Sequence, residues 1–250
     1  YEYSEKFDHV SEATLGALRV SEEEIAAAFA QVNDELIAAL QFAAEQITDF
    51  HSKQVRQSWF TTPGDGIMLG SKITPLARVG IYVPGGRAQY PSSVLMNAIP
   101  AQVAGVEDIV MVAPPSKEGH IAPITLVAAS LAGVTEIYKV GGAQAIGALA
   151  YGTRTIPAVD KIVGPGNAYV AAAKKLVNGD VGIDMIAGPS EVLILADETA
   201  IPAFVAIDMM AQAEHDPRAA TYLVTTDESL IPLVEEALDM LLAETPRADI

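Results

Sequence analysis

The 250-residue sequence has no cysteine. Disulfide frameworks, thiolate zinc sites, Fe–S clusters and thiol nucleophiles are all excluded at once. A chain without disulfides is compatible with a reducing, cytoplasmic setting without demanding one. Basic residues are scarce too: 15 Lys and Arg stand against 32 Asp and Glu, for a formal charge of −17 and a sequence pI near 4.4. Nucleic acid and anionic membrane surfaces both call for a basic face, so neither is expected as a partner. An anionic small molecule is still open, because a few backbone amides can hold one locally. Long apolar runs are missing as well. The longest uncharged, apolar-leaning stretch, Ile121 to Val134, is too short to span a bilayer and is broken by Pro123, Thr125 and Ser130. No signal peptide is visible and there is no initiator Met. The opening residues, Tyr1 to Asp8, read as the tail of a helix already under way, as in a piece of a longer chain.

What is present is a core and a rhythm. Half of the residues are hydrophobic, enough for one large domain or two smaller ones. Ser21-Glu22-Glu23-Glu24 forms a capping box. Behind it Ile25, Phe29, Val32, Leu36, Leu40, Ala43, Ile47 and Phe50 recur at spacings of three and four, which predicts one long amphipathic helix reaching Gln54. Residues 61–77 carry Pro63-Gly64-Asp65-Gly66 between short apolar runs, the pattern of a hairpin or ribbon. From Arg78 onward, β-branched runs alternate with Ala-rich segments. The spacing predicts strands at 79–83, 108–113, 136–140, 161–163, 192–196 and 221–225. Helices fall at 92–104, 123–132, 143–150, 167–176, 202–214 and 231–243. Such alternation means βαβ units and a mostly parallel sheet. Near-continuous apolar strands such as Ile109-Val110-Met111-Val112 fit strands buried on both faces.

The chemistry-bearing residues sit at the ends of these strands. Ile81-Tyr82-Val83-Pro84-Gly85-Gly86 is echoed by Ile137-Tyr138-Lys139-Val140-Gly141-Gly142, each a strand running into a Gly pair. A Gly pair lets backbone approach a ligand and leaves amides free for an anion, although for either pair alone a tight turn is the plainer reading. Gly164-Pro165-Gly166-Asn167 follows a strand and opens a helix, where phosphate–amide contacts form. It is not the dinucleotide fingerprint, because Tyr169 stands where a third small residue belongs. There is no Walker motif, no His-Glu-x-x-His and no Gly-x-Ser-x-Gly elbow around Ser190, whose plain reading is a capping or turn hydroxyl. Of the four histidines, His9, His51 and His120 lie in polar or helix-end contexts. His215 is crowded by Gln212, Glu214 and Asp216 in a segment stopped by Pro217. Gln212 and His215 are spaced i, i+3 on one helical face and could form half of a metal site, although a solvated helix end has the same sequence signature.

Taken in order, Tyr82-Val83-Pro84-Gly85-Gly86, Pro91-Ser92-Ser93-Val94-Leu95-Met96, Val140-Gly141-Gly142-Ala143-Gln144-Ala145-Ile146, Val163-Gly164-Pro165-Gly166-Asn167, Ala187-Gly188-Pro189-Ser190-Glu191 and Gln212-Ala213-Glu214-His215 resemble the histidinol dehydrogenase family across essentially the whole chain. The resemblance implies an NAD-dependent, zinc-containing oxidation of L-histidinol to L-histidine through an aldehyde, the last step of histidine biosynthesis. It implies Tyr82, Gln144 and Asn167 as NAD contacts, Ser190 as a substrate contact, and Gln212 and His215 as zinc ligands that also lie against the substrate. Zinc would bind the imidazole and amine of histidinol and orient its carbinol carbon. The family's Glu-His acid/base pair and two further metal ligands, an Asp and a His, have no match here. No catalytic residue is therefore assigned, and the chain alone is expected not to turn over. A homodimer is implied, with the last His supplied by the partner subunit.

The expected architecture is α/β: two incompletely Rossmann-like domains with mostly parallel sheets, preceded by the long N-terminal helix. Residues 81–190 would form an inserted NAD-contacting domain. Residues 1–80 and 191–250 would form a discontinuous second one, with Tyr82 and Ser190 flanking a cleft at the junction. A non-catalytic α/β nucleotide-binding module is the alternative. An aldehyde dehydrogenase is disfavoured by the missing Cys nucleophile, and a scaffold protein by the loaded strand-end turns.

Overall fold

The strands that carry the site are apolar on both faces, and they assemble into one parallel sheet with a reversal in its order. The computed structural model describes residues 1–85, 89–186, 190–214 and 219–245, which fall into two compact units, Tyr1–Ile186 and Ala187–Ile250. In the first unit a helical turn at Ser4–Asp8 leads to α1 (Glu12–Leu15), α2 (Glu22–Phe29) and α3 (Asp34–Ser52). An antiparallel ribbon of β1 (Trp59–Gly64) and β2 (Ile67–Ser71) follows, exposed almost throughout. Then come β3 (Arg78–Tyr82), α4 (Pro91–Val103), β4 (Asp108–Ala113), α5 (Pro123–Leu131), β5 (Glu136–Lys139), α6 (Gly142–Tyr151), β6 (Lys161–Val163), α7 (Ala168–Val177) and β7 (Gly182–Ile183).

The five-stranded sheet is ordered β5-β4-β3-β6-β7, and every pairing is parallel. The chain therefore builds outward from β3 in one direction, returns, and builds outward in the other. This is the 3-2-1-4-5 order of a Rossmann-like sheet, with the crevice for a ligand at the carboxyl ends of β3 and β6. Side chains alternate between two cores. Val79, Ile81, Ile109, Met111 and Ile137 point to α4 and α5, with α2 and α3 packed outside them. Tyr82, Val110, Val112, Tyr138 and Ile162 point to α6 and α7. The outer edge of β5 is not bare. The Val20 N–H donates to the Ile137 carbonyl at 2.9 Å and the Lys139 N–H to the Leu18 carbonyl at 2.8 Å, so residues 18–20 cover an edge that would otherwise template association.

One feature differs from the sequence reading. The long N-terminal helix is divided. The capping box at Ser21 and Glu24 starts α2 as expected, but Asn33 starts a new helix, its side-chain oxygen accepting the Leu36 N–H at 2.8 Å. An Asn oxygen that satisfies a free helix-terminal N–H sets a boundary that apolar periodicity does not reveal. Within the first unit α2 packs on α5 and α3 on α4. The second unit has β8 (Glu191–Ala196) and β9 (Ala220–Thr225) as a parallel pair, with α8 (Pro202–Ala213) and α9 (Leu230–Glu244) covering one face. Its core gathers Val205, Ala206, Leu230 and Val234. No helix among the described residues is long and apolar enough to cross a membrane.

Candidate functional site

The turns that echo each other in sequence meet in space. Tyr82 closes β3 and is 3% exposed; its hydroxyl reaches past β4 to the start of α6, where it accepts the Gly142 N–H at 3.1 Å. Burial, first, raises the Tyr82 phenol above its ordinary value, with the Asp8 carboxylate adding to the effect and the Gly142 bond opposing it. Gly142 has φ +67, and a Cβ there would stand 2.7 Å from the Gln144 side-chain oxygen. The start of α6 thus brings Tyr82, Gly142 and Gln144 together. Gln144 is half-buried, and its Nε2 is out of solvent with no hydrogen-bond partner among the described residues. Buried polar atoms are nearly always paired, so an orphaned amide donor beside a crevice is a vacancy for an acceptor.

Asn167 lies across the switch in strand order, at the end of the β6–α7 turn. Its side-chain oxygen caps α7 by accepting the N–H groups of Tyr169 and Val170 at 3.0 and 3.1 Å. With the oxygen committed to the helix, the exposed side chain has only its NH2 to offer outward. The turn before it is pressed against β3. Gly164 has φ +109, and a Cβ would lie 2.2 Å from the Tyr82 carbonyl oxygen, so only glycine fits.

In the second unit Gln212, in the last turn of α8, donates its amide Nε2 to the Ser190 carbonyl at 3.0 Å. Two residues singled out from sequence are thereby joined. The bond commits the amide nitrogen, and among the amide's two atoms the oxygen is the one able to ligate a metal. His215 lies outside the described residues, as do Gly86 and the Ala187-Gly188-Pro189 stretch.

The histidinol dehydrogenase family model matches residues 1–250. The chain belongs to the histidinol dehydrogenase family. It is 55% identical over 249 residues to the histidinol dehydrogenase of Geobacter sulfurreducens, covering all of this chain and 58% of that protein. The crystal structure of histidinol dehydrogenase from Elizabethkingia anophelis superposes with a TM-score of 0.87 at 46% identity, over 98% of this chain and 56% of that one. The chain thus spans somewhat over half the length of the relatives it matches. A putative aldehyde dehydrogenase, PutA from Anabaena variabilis, shares the fold at TM-score 0.55 and 15% identity, over 89% of this chain and 50% of that one.

The residues present can be tested against the groups this family implies. For a dinucleotide the fit is good. The unpartnered Gln144 amide and the outward NH2 of Asn167 are donors of the kind that phosphate and ribose oxygens accept. For a metal the fit is partial. Gln212 offers an amide oxygen, while no group of three His, Asp or Glu side chains gathers among the described residues.

Sequence reading missed two residues here. Lys174, buried under the β6–α7 turn, pairs with the partly exposed carboxylate of Asp184. In Ala171-Ala172-Ala173-Lys174-Lys175 a lysine reads as a solvated helix residue, and no spacing connects it to Asp184. At the opposite end of the sheet, Arg78 binds Glu136 at 2.5 Å and Asp108 at 3.3 Å, and Tyr138 donates to Glu136 at 2.9 Å. This network ties the amino ends of β3, β4 and β5 together, away from the crevice.

Proposed function

We propose that the protein is an NAD-dependent, zinc-containing histidinol dehydrogenase that oxidises L-histidinol to L-histidine through the aldehyde. In this reading residues 1–250 supply the NAD-contacting face and part of the metal and substrate site. The observation that supports it is the match to the histidinol dehydrogenase family over residues 1–250, beside a Tyr82 hydroxyl bonded to Gly142 and an unpaired Gln144 amide donor at the start of the same helix. When bound, NAD supplies the hydride acceptor and zinc a Lewis-acidic point for the substrate's imidazole and amine.

The chain's own residues do the holding. Gln144 donates to the dinucleotide from the mouth of α6. Asn167 donates its NH2 while its oxygen keeps α7 capped. Tyr82 gives the crevice a rigid aromatic wall braced on Gly142. Ser190 contacts substrate and its carbonyl holds the Gln212 amide nitrogen, while the Gln212 oxygen and His215 would ligate zinc and lie against the substrate. The acid/base Glu-His pair has no counterpart among residues 1–250. The 250-residue chain therefore binds without turning over, and activity belongs to a longer, homodimeric, cytoplasmic protein. There, residues 1–80 and 191–250 join in one discontinuous domain and 81–190 form the inserted one.

Calorimetry tests this directly. The chain should bind NAD weakly, in the millimolar range, and Asn167→Ala should weaken that binding. Zinc should be lost on dialysis, since two ligands fall short of the three protein ligands a catalytic zinc uses. No histidinol-dependent NADH should form. A folded chain with no detectable NAD binding would sink the cofactor site. Zinc retained stoichiometrically after chelation, or turnover by the chain alone, would show that the ligand set or the site of chemistry is wrong.

A further inference from the structure

Beneath the β6–α7 turn lies an ion pair that the reading above does not use. The Lys174 side chain is 2% exposed, and its ammonium donates to the Gly164 carbonyl at 3.0 Å and to Asp184 Oδ1. Asp184 Oδ2 accepts the Gly164 N–H at 2.8 Å, and Oδ1 also accepts the Met185 N–H at 2.6 Å. One side-chain pair thus takes both backbone polar groups of a single glycine. Packing alone would ask for something else. The other buried positions of α7 are Val170, Ala171 and Val177, and a lysine at such a position is costly unless its ammonium is paired and hydrogen-bonded. What such a pair provides is direction: it fixes the orientation of the Gly164 peptide groups. Gly164 is also the residue whose Cα sits against the Tyr82 carbonyl, so the pair sets the β6–α7 turn against the end of β3. Asn167 follows three residues later.

We infer that Lys174 and Asp184 are positioning residues for a dinucleotide, acting through Gly164 to hold the turn that presents Asn167. The inference rests on reading Tyr82, Gln144 and Asn167 as the cofactor face. Lys174 touches no ligand itself, because it is buried behind the turn. The pair is absent from the dinucleotide fingerprint, and it supplies by side chains the rigidity that a third small residue gives elsewhere.

The test combines amide hydrogen exchange with NAD titration of the 250-residue chain. Lys174→Met leaves the partly exposed Asp184 carboxylate with its two backbone N–H partners and no cation. The variant Lys174→Met/Asp184→Leu removes the pair without stranding a charge. In the double variant, residues 164–170 should exchange about tenfold faster while β3, β4 and β5 keep their protection, and NAD affinity should fall about tenfold. Unchanged exchange at 164–170 would overturn the inference whatever NAD does. Faster exchange with unchanged NAD affinity would make the pair a stabiliser of the turn only and overturn its positioning role. Loss of protection across the whole sheet would likewise overturn it, because the pair would then serve the fold at large. Failure of the unsubstituted chain to bind NAD would count against the cofactor face itself, a result separate from binding that survives in the double variant.

Discussion

Tyr82 connects two βα units through one oxygen atom, and the consequences are local and measurable. Replacing it with Phe keeps the ring in its pocket and leaves the Gly142 N–H without its partner at the head of α6. An unpaired buried donor costs about 1–3 kcal/mol, so Tyr82→Phe should lower stability by that order in urea denaturation. Tyr138, at the other end of the sheet, answers to pH instead. Burial, then its bond to Glu136 and the charge of that carboxylate, hold its phenol up at about 12. The ordinary value is 10.0, so between those limits the unfolded chain has released a proton that the folded chain keeps. The stabilisation is complete below about pH 10 and drains away as pH climbs toward about 12. Melting temperatures should accordingly fall more steeply over that window in the unsubstituted chain than in Tyr138→Phe. Equal slopes would mean that Tyr138 ionises as freely in the fold as outside it.

At the level of helices and strands, most boundaries could be read from the chain. Runs such as Asp108–Ala113 and Lys161–Val163 begin and end where apolar, β-branched residues do, because burial on both faces leaves no other pattern. Where local rules failed, a single contact decided the matter. Apolar spacing runs on through Val32 and Leu36, so periodicity gave one helix, while the Asn33 cap makes two. Its replacement by Ala should cost about 1 kcal/mol and fray the start of α3, visible as lost amide protection at Leu36. The pair β7, two residues long, has no sequence pattern and exists only because β6 offers it a ladder. The site follows the same division. Strand-end glycines and the Asn167 cap were legible, because turn chemistry is local. The reach of Tyr82 to Gly142, the bond from Gln212 to Ser190 and the Lys174–Asp184 pair were not, since each joins residues that only the topology brings together.

On the scale of the whole molecule, the two units differ in how completely they cover themselves. The sheet of the first is clad by α4 and α5 on one side and α6 and α7 on the other. The β8–β9 pair of the second is clad on one side only. Its other face exposes Leu193, Leu195, Tyr222 and Val224, set side by side in register. Exposed apolar sheet surface with free ladder edges invites association. The chain should therefore form concentration-dependent oligomers in light scattering, and Leu195→Lys should shift them toward monomer. A clean monomer at high concentration would contradict this. The strand-like segment at 18–20 has a different consequence, one of timing. It is made before β3 and β4, yet the strand it lies against, β5, leaves the ribosome after both. Its neighbour α2 rests on α5, which is also made after β3 and β4, and until α5 is made Ile25 and Phe29 stay wet. Closing this long loop delays folding more than its few bonds suggest. Residues 18–52, made before the sheet, are thus among the last of their unit to settle, and nascent chains stopped before Pro123 should be cut by protease within residues 1–52 while a chain that runs through β5 resists.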